Sequence, residues 1–78
     1  MKTFKIRFVE FDGQFSIQQK TWFGWLELRY VVDMGYGSVS YLYSGKTKEE
    51  ALTEVLEKRF KIDKRFARIV EYPGLKIY

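Results

Sequence analysis

Ser44-Gly45-Lys46-Thr47 reads as the tail of a phosphate-binding loop, in which backbone N–H groups and a lysine cradle a nucleotide's phosphates. The full pattern needs a glycine five residues before Gly45, and that position is Ser40. It also needs a parallel strand before the loop, whereas Gly45 here closes a strand-like run and Thr47 opens a helical one. Gly35-Tyr36-Gly37 has neither a third glycine nor a following helix, so it reads as a turn. Glu10 with Asp12, and Glu27 with Asp33, are the acidic pairs from which a glycosidase-type site would be built. Such a site needs two carboxylates facing across a cleft, and a domain with one helix offers little cleft.

The chain contains no histidine and no cysteine. Ser-His-Asp and Cys-His activation, imidazole or thiolate metal sites and disulfides are all excluded. The expectation is a protein that is not an enzyme and uses no metal and no cofactor.

Two groups of residues remain. Lys58, Arg59, Lys61, Lys64, Arg65 and Arg68 crowd against a single Asp63, in a chain whose net charge is only +4. One or two of these cations complement the negative end of a helix dipole. The excess suggests an electrostatic patch of Lys58, Lys61, Lys64, Arg65 and Arg68 for phosphate, a nucleotide or an acidic protein face. The second group is aromatic: Trp22, Phe23 and Trp25 fall outside the expected core and are candidate partner contacts. An alternative platform is the sheet face carrying Lys5, Arg7, Phe11 and Lys20, where cations and an aromatic ring together suit nucleic acid.

The elements that must position these residues are legible from periodicity. Phe4, Ile6 and Phe8 alternate with Lys5 and Arg7 in a first strand. Asp12-Gly13 is a strong two-residue hairpin signal; it sets Phe11 opposite Gln14 and Phe8 opposite Ile17, and gathers Phe4, Ile6, Phe8, Phe15 and Ile17 on one face. Trp25–Asp33 reads as a third strand with Leu26, Leu28, Tyr30 and Val32 inward. Met34–Gly37 turns the chain, and Ser38–Tyr43 is a fourth strand. Thr47 and Glu50 form a capping box that opens a helix with an apolar stripe through Ala51, Leu52, Val55, Leu56, Arg59 and Phe60. Glu54–Lys58 and Glu57–Lys61 are i,i+4 pairs. A fifth strand, Phe66–Tyr72, ends at a Pro73-Gly74 turn, and Leu75–Tyr78 forms an edge strand or a tail.

The fold expected is α+β: a mostly antiparallel sheet of four to five strands in the order β-β-β-β-α-β, one face covered by one helix, residues 1–78 forming a single domain. A chain of 78 residues buries only ~60–65% of its unfolded surface, so it needs efficient apolar packing, a partner subunit, or both. No ~20-residue apolar run suits a membrane span, and Lys2, Lys5 and Arg7 interrupt any secretory pattern, so a cytoplasmic protein with no membrane association is expected.

Phe15-Ser16-Ile17-Gln18-Gln19-Lys20, then Trp22 and Trp25, then the helix start Thr47-Lys48-Glu49-Glu50-Ala51-Leu52 resembles small accessory proteins of bacteriophages and prophages, over roughly residues 4–60. The resemblance implies a phage-type protein in a bacterial cytoplasm that acts by binding. Its target would be a host protein or immune system, blocked in the manner of an anti-CRISPR protein, or a signalling nucleotide sequestered as by a sponge. It transfers no functional residues. Direct nucleic-acid binding is the alternative, and self-association as a dimer is compatible with either.

Overall fold

A computed structural model describes residues 1–77. It is α+β, with a five-stranded mixed sheet, one helix and a second, two-stranded sheet. The strands are β1 (Lys2–Phe11), β2 (Gln14–Thr21), β3 (Gly24–Glu27), β4 (Arg29–Asp33), β5 (Ser38–Leu42), β6 (Ser44–Gly45) and β7 (Ala67–Ile77), with α1 starting at Lys48–Glu54. The main sheet runs β3-β2-β1-β7, and β6 joins β2 on the edge that β3 also uses.

The first hairpin has the expected register, from Phe11↔Gln14 to Ile6↔Gln19. Asp12 (φ 53°) and Gly13 (φ 75°) both take the left-handed conformation that a two-residue turn of this hand demands. Phe4, Ile6, Phe8 and Ile17 are buried, with Phe15 partly buried beside them. α1 covers this face with Ala51, Val55 and Leu56. Its first turn is capped as expected on one side, Glu50 N–H donating to Thr47 Oγ1 (3.1 Å). The Glu50 carboxylate accepts the N–H of Lys46 (3.0 Å), one residue earlier than a capping box requires. Past Glu54 the helix widens, and Phe60 N–H reaches Val55 C=O (3.2 Å). Lys61 then turns left-handed (φ 52°) and ends it. That turn carries Lys61 off the helix surface, so the expected Glu57–Lys61 pair does not form, while Glu54–Lys58 does (2.9 Å). Arg59 leaves the apolar stripe and donates to the Arg29 carbonyl (3.0 Å).

The largest departure is in the third strand. The run Trp25–Asp33 is broken at Leu28. β3 stays on β2 as far as Gln18↔Glu27, and Leu28 N–H still donates to Ile17 C=O (3.3 Å). The Leu28 carbonyl turns instead to Tyr43 N–H (3.2 Å). Residues 29–42 leave the sheet as a hairpin, β4–β5, and Ser44–Gly45 return to pair with Ser16 and Phe15. One edge strand is thus assembled from two pieces with an arm inserted between them. Of the four residues expected to point inward, only Leu28 is buried, at 0% exposure; Leu26 and Tyr30 are 40% and 41% exposed. In the fourth expected strand Tyr43 is buried, while Tyr41 is 43% exposed on the arm.

β7 also differs from expectation. It lies parallel to β1, from Lys2↔Ala67 to Phe11↔Ile77, and Pro73-Gly74 is a bulge inside it rather than a turn at its end. The bulge accommodates a close approach: a Cβ on Gly74 would lie 2.7 Å from Phe8 O. Tyr78 lies outside the described residues.

Gly45 is equally constrained, since a Cβ there would sit 2.7 Å from both Ala51 N and Glu50 Cβ. Gly45→Ala and Gly74→Ala should each lower stability by about 1–3 kcal/mol, as overpacking does. Gly37→Ala, with nothing within 4 Å of its Cβ, should stay within about 0.5 kcal/mol of the parent. Urea unfolding midpoints of the three variants check this.

Candidate functional site

Thr21 and Gly24 close the β2–β3 hairpin, the Thr21 hydroxyl donating to Gly24 C=O (2.8 Å). Gly24 takes the positive φ (135°), so Trp22 and Phe23 occupy the turn with ordinary backbone conformations. Their rings meet edge-to-face at 5.2 Å between centroids. Trp22 is 94% exposed and Phe23 66%. Glycine and asparagine are the usual residues of so tight a turn; the two large rings held out at its tip gain little from burial in this chain.

Trp25 behaves differently and is not brought together with them. It lies opposite Lys20 on the open face of the sheet, stacked on the Arg7 guanidinium (4.3 Å to the ring centre) and edge-on to Tyr72 (5.5 Å). Lys20 sits over the Tyr72 ring (4.7 Å), and Arg7 Nε donates to Gln18 Oε1 (2.7 Å). The four residues of the expected platform share a face, but two of its cations are committed to rings within the chain. Phe11 stands at the far end of the strand, 58% exposed and paired in register with Ile77. Val9, on this polar face by alternation, is buried to 6%. It shares a cleft with Phe11, Ser16, Ser40 and Tyr41 where the arm crosses the end of the sheet.

The basic patch is largely neutralised. Lys58 is paired with Glu54, whose hydrogen bond and charge raise the lysine's pKa above its ordinary value. Lys64 pairs with Glu49 (3.3 Å). Arg65 folds back on Asp63 through both its side chain and its backbone N–H. Among the described residues, only Lys61 and Arg68 of the five expected patch residues make no ion pair. Three of the four residues of the acidic pairs are likewise engaged: Glu10 faces Lys76 (3.6 Å), Glu27 binds Arg29 (3.1 Å), and Asp33 accepts Gly35 N–H (2.9 Å).

The arm is the feature that periodicity did not reveal. Tyr30, Val32, Val39 and Tyr41 share one of its faces, with Tyr30 and Tyr41 5.6 Å apart. Val31 is 68% exposed on the other face, and Tyr36 88% exposed at the tip. A two-stranded hairpin on its own is marginal in water. The exposed surface of the whole chain is 5814 Å², against about 5,000 Å² for a compact monomer of this size. The radius of gyration, 13.0 Å, likewise exceeds the roughly 11.5 Å expected. The surplus area is on the order of 800 Å², one side of a standard protein–protein interface.

No protein-family model, no curated protein and no solved structure matches the chain. Among the described residues no helix is long and apolar enough to cross a membrane, and no three acidic side chains are gathered as a metal site.

Two outcomes follow from this geometry. Hydrogen bonds from the Arg65 side chain, and then its backbone, hold the Asp63 carboxyl below its ordinary 3.8. A depressed carboxylate contributes stability that is full above the ordinary value and is lost as pH falls through the lower one. The Asp63 midpoint in an NMR titration should therefore fall below 3.8, with the Arg65 amide moving in step. In Trp25→Phe, the fluorescence of Trp22 alone should be quenched by acrylamide almost as readily as free tryptophan. In Trp22→Phe, that of Trp25 should be shielded.

Proposed function

We propose that this chain is a non-enzymatic binding protein, and that Trp22 and Phe23 are its principal contact with a protein partner. The observation that carries the reading is the exposure of two large rings, Trp22 at 94% and Phe23 at 66%, at the tip of a tight hairpin. Aromatic anchors of this kind dominate interface energetics, because they deliver large apolar area with few rotatable bonds. The absence of histidine and cysteine, and the engagement of Glu10, Glu27 and Asp33 in ion pairs and a turn, support a role in binding rather than catalysis. The resemblance read in residues 4–60 to phage accessory proteins suggests as partner a host protein or immune component, which the chain would inhibit or modulate in the bacterial cytoplasm.

Nucleic-acid binding on the sheet face has less behind it. Arg7 and Lys20 are stacked on Trp25 and Tyr72, and three patch cations already have carboxylate partners. A nucleotide sponge would need a basic, enclosed pocket. The clefts beside the arm are open, and Arg29 and Lys58 are the cations that line them.

Wild-type protein and the variants Trp22→Ala and Phe23→Ala, passed over a bacterial lysate, test the reading. A specific protein should be retained by the wild type, and its measured affinity should drop by at least about 30-fold in each variant, the scale of a ~2 kcal/mol hot spot. Folding midpoints should stay unchanged. Retention of the same partner by both variants would overturn it, as would binding to DNA or RNA that weakens steeply with salt.

A further inference from the structure

β4 is free along one edge. The bonds Met34 N–H to Gly37 C=O and Tyr43 N–H to Leu28 C=O, with the Tyr30↔Tyr41 and Val32↔Val39 register, place the backbone groups of even-numbered residues toward β5. Those of Arg29, Val31 and Asp33 therefore point outward, where among the described residues β4 has no neighbouring strand. Such an edge is a template for another strand.

The five residues Arg29-Tyr30-Val31-Val32-Asp33 are self-complementary in one antiparallel register. A twofold axis at Val31 sets Arg29 opposite Asp33 of a second copy and Asp33 opposite its Arg29. Tyr30 then faces Val32, an aromatic–β-branched pair of the kind that stabilises sheets. All three outward-pointing residues lie in hydrogen-bonded positions, and both ion pairs fall on one face because the register is even. Centring the axis on Tyr30 or Val32 pairs neither charge with its opposite. Charge complementarity thus selects both the occupant and the register.

We propose that the β4 edge pairs with β4 of a second copy of this chain, joining two arms into a four-stranded antiparallel sheet. Three or more strands give the independent stability that a lone hairpin lacks. Among the described residues, the Arg29 side chain is held only by an exposed pair with Glu27 (3.1 Å), and Asp33 uses one carboxylate oxygen for Gly35 N–H, so both can turn to the second copy. The Arg29 carbonyl already accepts from Arg59 (3.0 Å), and its second lone pair remains for the new strand. Arg59 marks where the free edge ends. The pairing is independent of whatever Trp22 and Phe23 bind.

Sedimentation of the full chain should show a monomer–dimer equilibrium. Arg29→Asp and Asp33→Arg should each weaken it at least tenfold, by setting like charges opposite one another. Mixed in equal amounts, the two variants should recover a dimer as a heterodimer. One chain then carries an acidic residue at both positions and the other a basic residue at both, so each of the two cross-strand pairs is again of opposite charge. Val31→Cys, at an exposed site in a chain without cysteine, should form an intermolecular disulfide at least tenfold faster than Val39→Cys. This arm of the test holds whether or not the charge variants fold. A chain that stays monomeric up to millimolar concentration would overturn the proposal. So would a dimer indifferent to both charge reversals, a mixture that fails to recover, or equal crosslinking at positions 31 and 39.

Discussion

Leu28 divides its backbone between the two parts of the molecule. Its N–H completes the bonding of β3 to β2, and its C=O opens the bonding of the arm through Tyr43. A residue in a regular strand cannot do this, because its N–H and C=O point to the same side. The twist is held by the side chain, fully buried against the Ile17 and α1 layer, where a leucine contributes about 1.5–3 kcal/mol. The irregularities along that edge follow from this anchor. With residues 29–42 displaced, the edge of β2 near Phe15 and Ser16 is left for Ser44–Gly45. That placement brings the start of α1 down on Gly45, which is why no side chain fits there.

The same division sorts the surface. Aromatic rings beside the main sheet find cations: Trp25 takes Arg7, and Tyr72 takes Lys20. Such contacts shield apolar area while keeping charge hydrated. Trp22 and Phe23 on the hairpin tip meet each other, while on the arm Tyr30 lies between Tyr41 (5.6 Å) and the buried Tyr43 (5.1 Å). Among the described residues, eight of the fourteen exposed large apolar side chains lie on these two protrusions, an arrangement suited to engaging other molecules.

Strong local signals were legible in the sequence. Asp12-Gly13 set the first hairpin to the residue, Thr47 marked the helix start, and the β1 alternation named Phe4, Ile6 and Phe8, the part of the core that β1 turns toward the helix. The arm was not legible because Leu26, Leu28, Tyr30 and Val32 continue one alternation unbroken. Period two describes a strand's faces but not which strand it pairs with. Lys61 hid the end of the helix, since an i,i+4 partner at Glu57 looks the same whether or not position 61 is helical. Pro73-Gly74 reads as a turn from composition, and only the nearness of Phe8 O shows it to be a bulge. Of the candidate site residues, Trp22 and Phe23 were separable from Trp25 only through Gly24, whose positive φ ends the turn just before Trp25 rejoins the sheet. The basic residues were visible as a cluster and the Glu54–Lys58 pair as an i,i+4 spacing, but Lys64 takes its carboxylate from Glu49 at the start of the helix, which charge counting along the chain does not weigh.

The central claim is that the arm is a separate unit hung from a stable sheet, and native-state amide hydrogen exchange at low protein concentration tests it directly. The account predicts that Ile6, Phe8 and Ile17 amides exchange only through global unfolding, while Tyr30 and Val32, although bonded to β5, open at a much smaller free energy. Equal protection of Tyr30, Val32 and Ile17 in the monomer would contradict it.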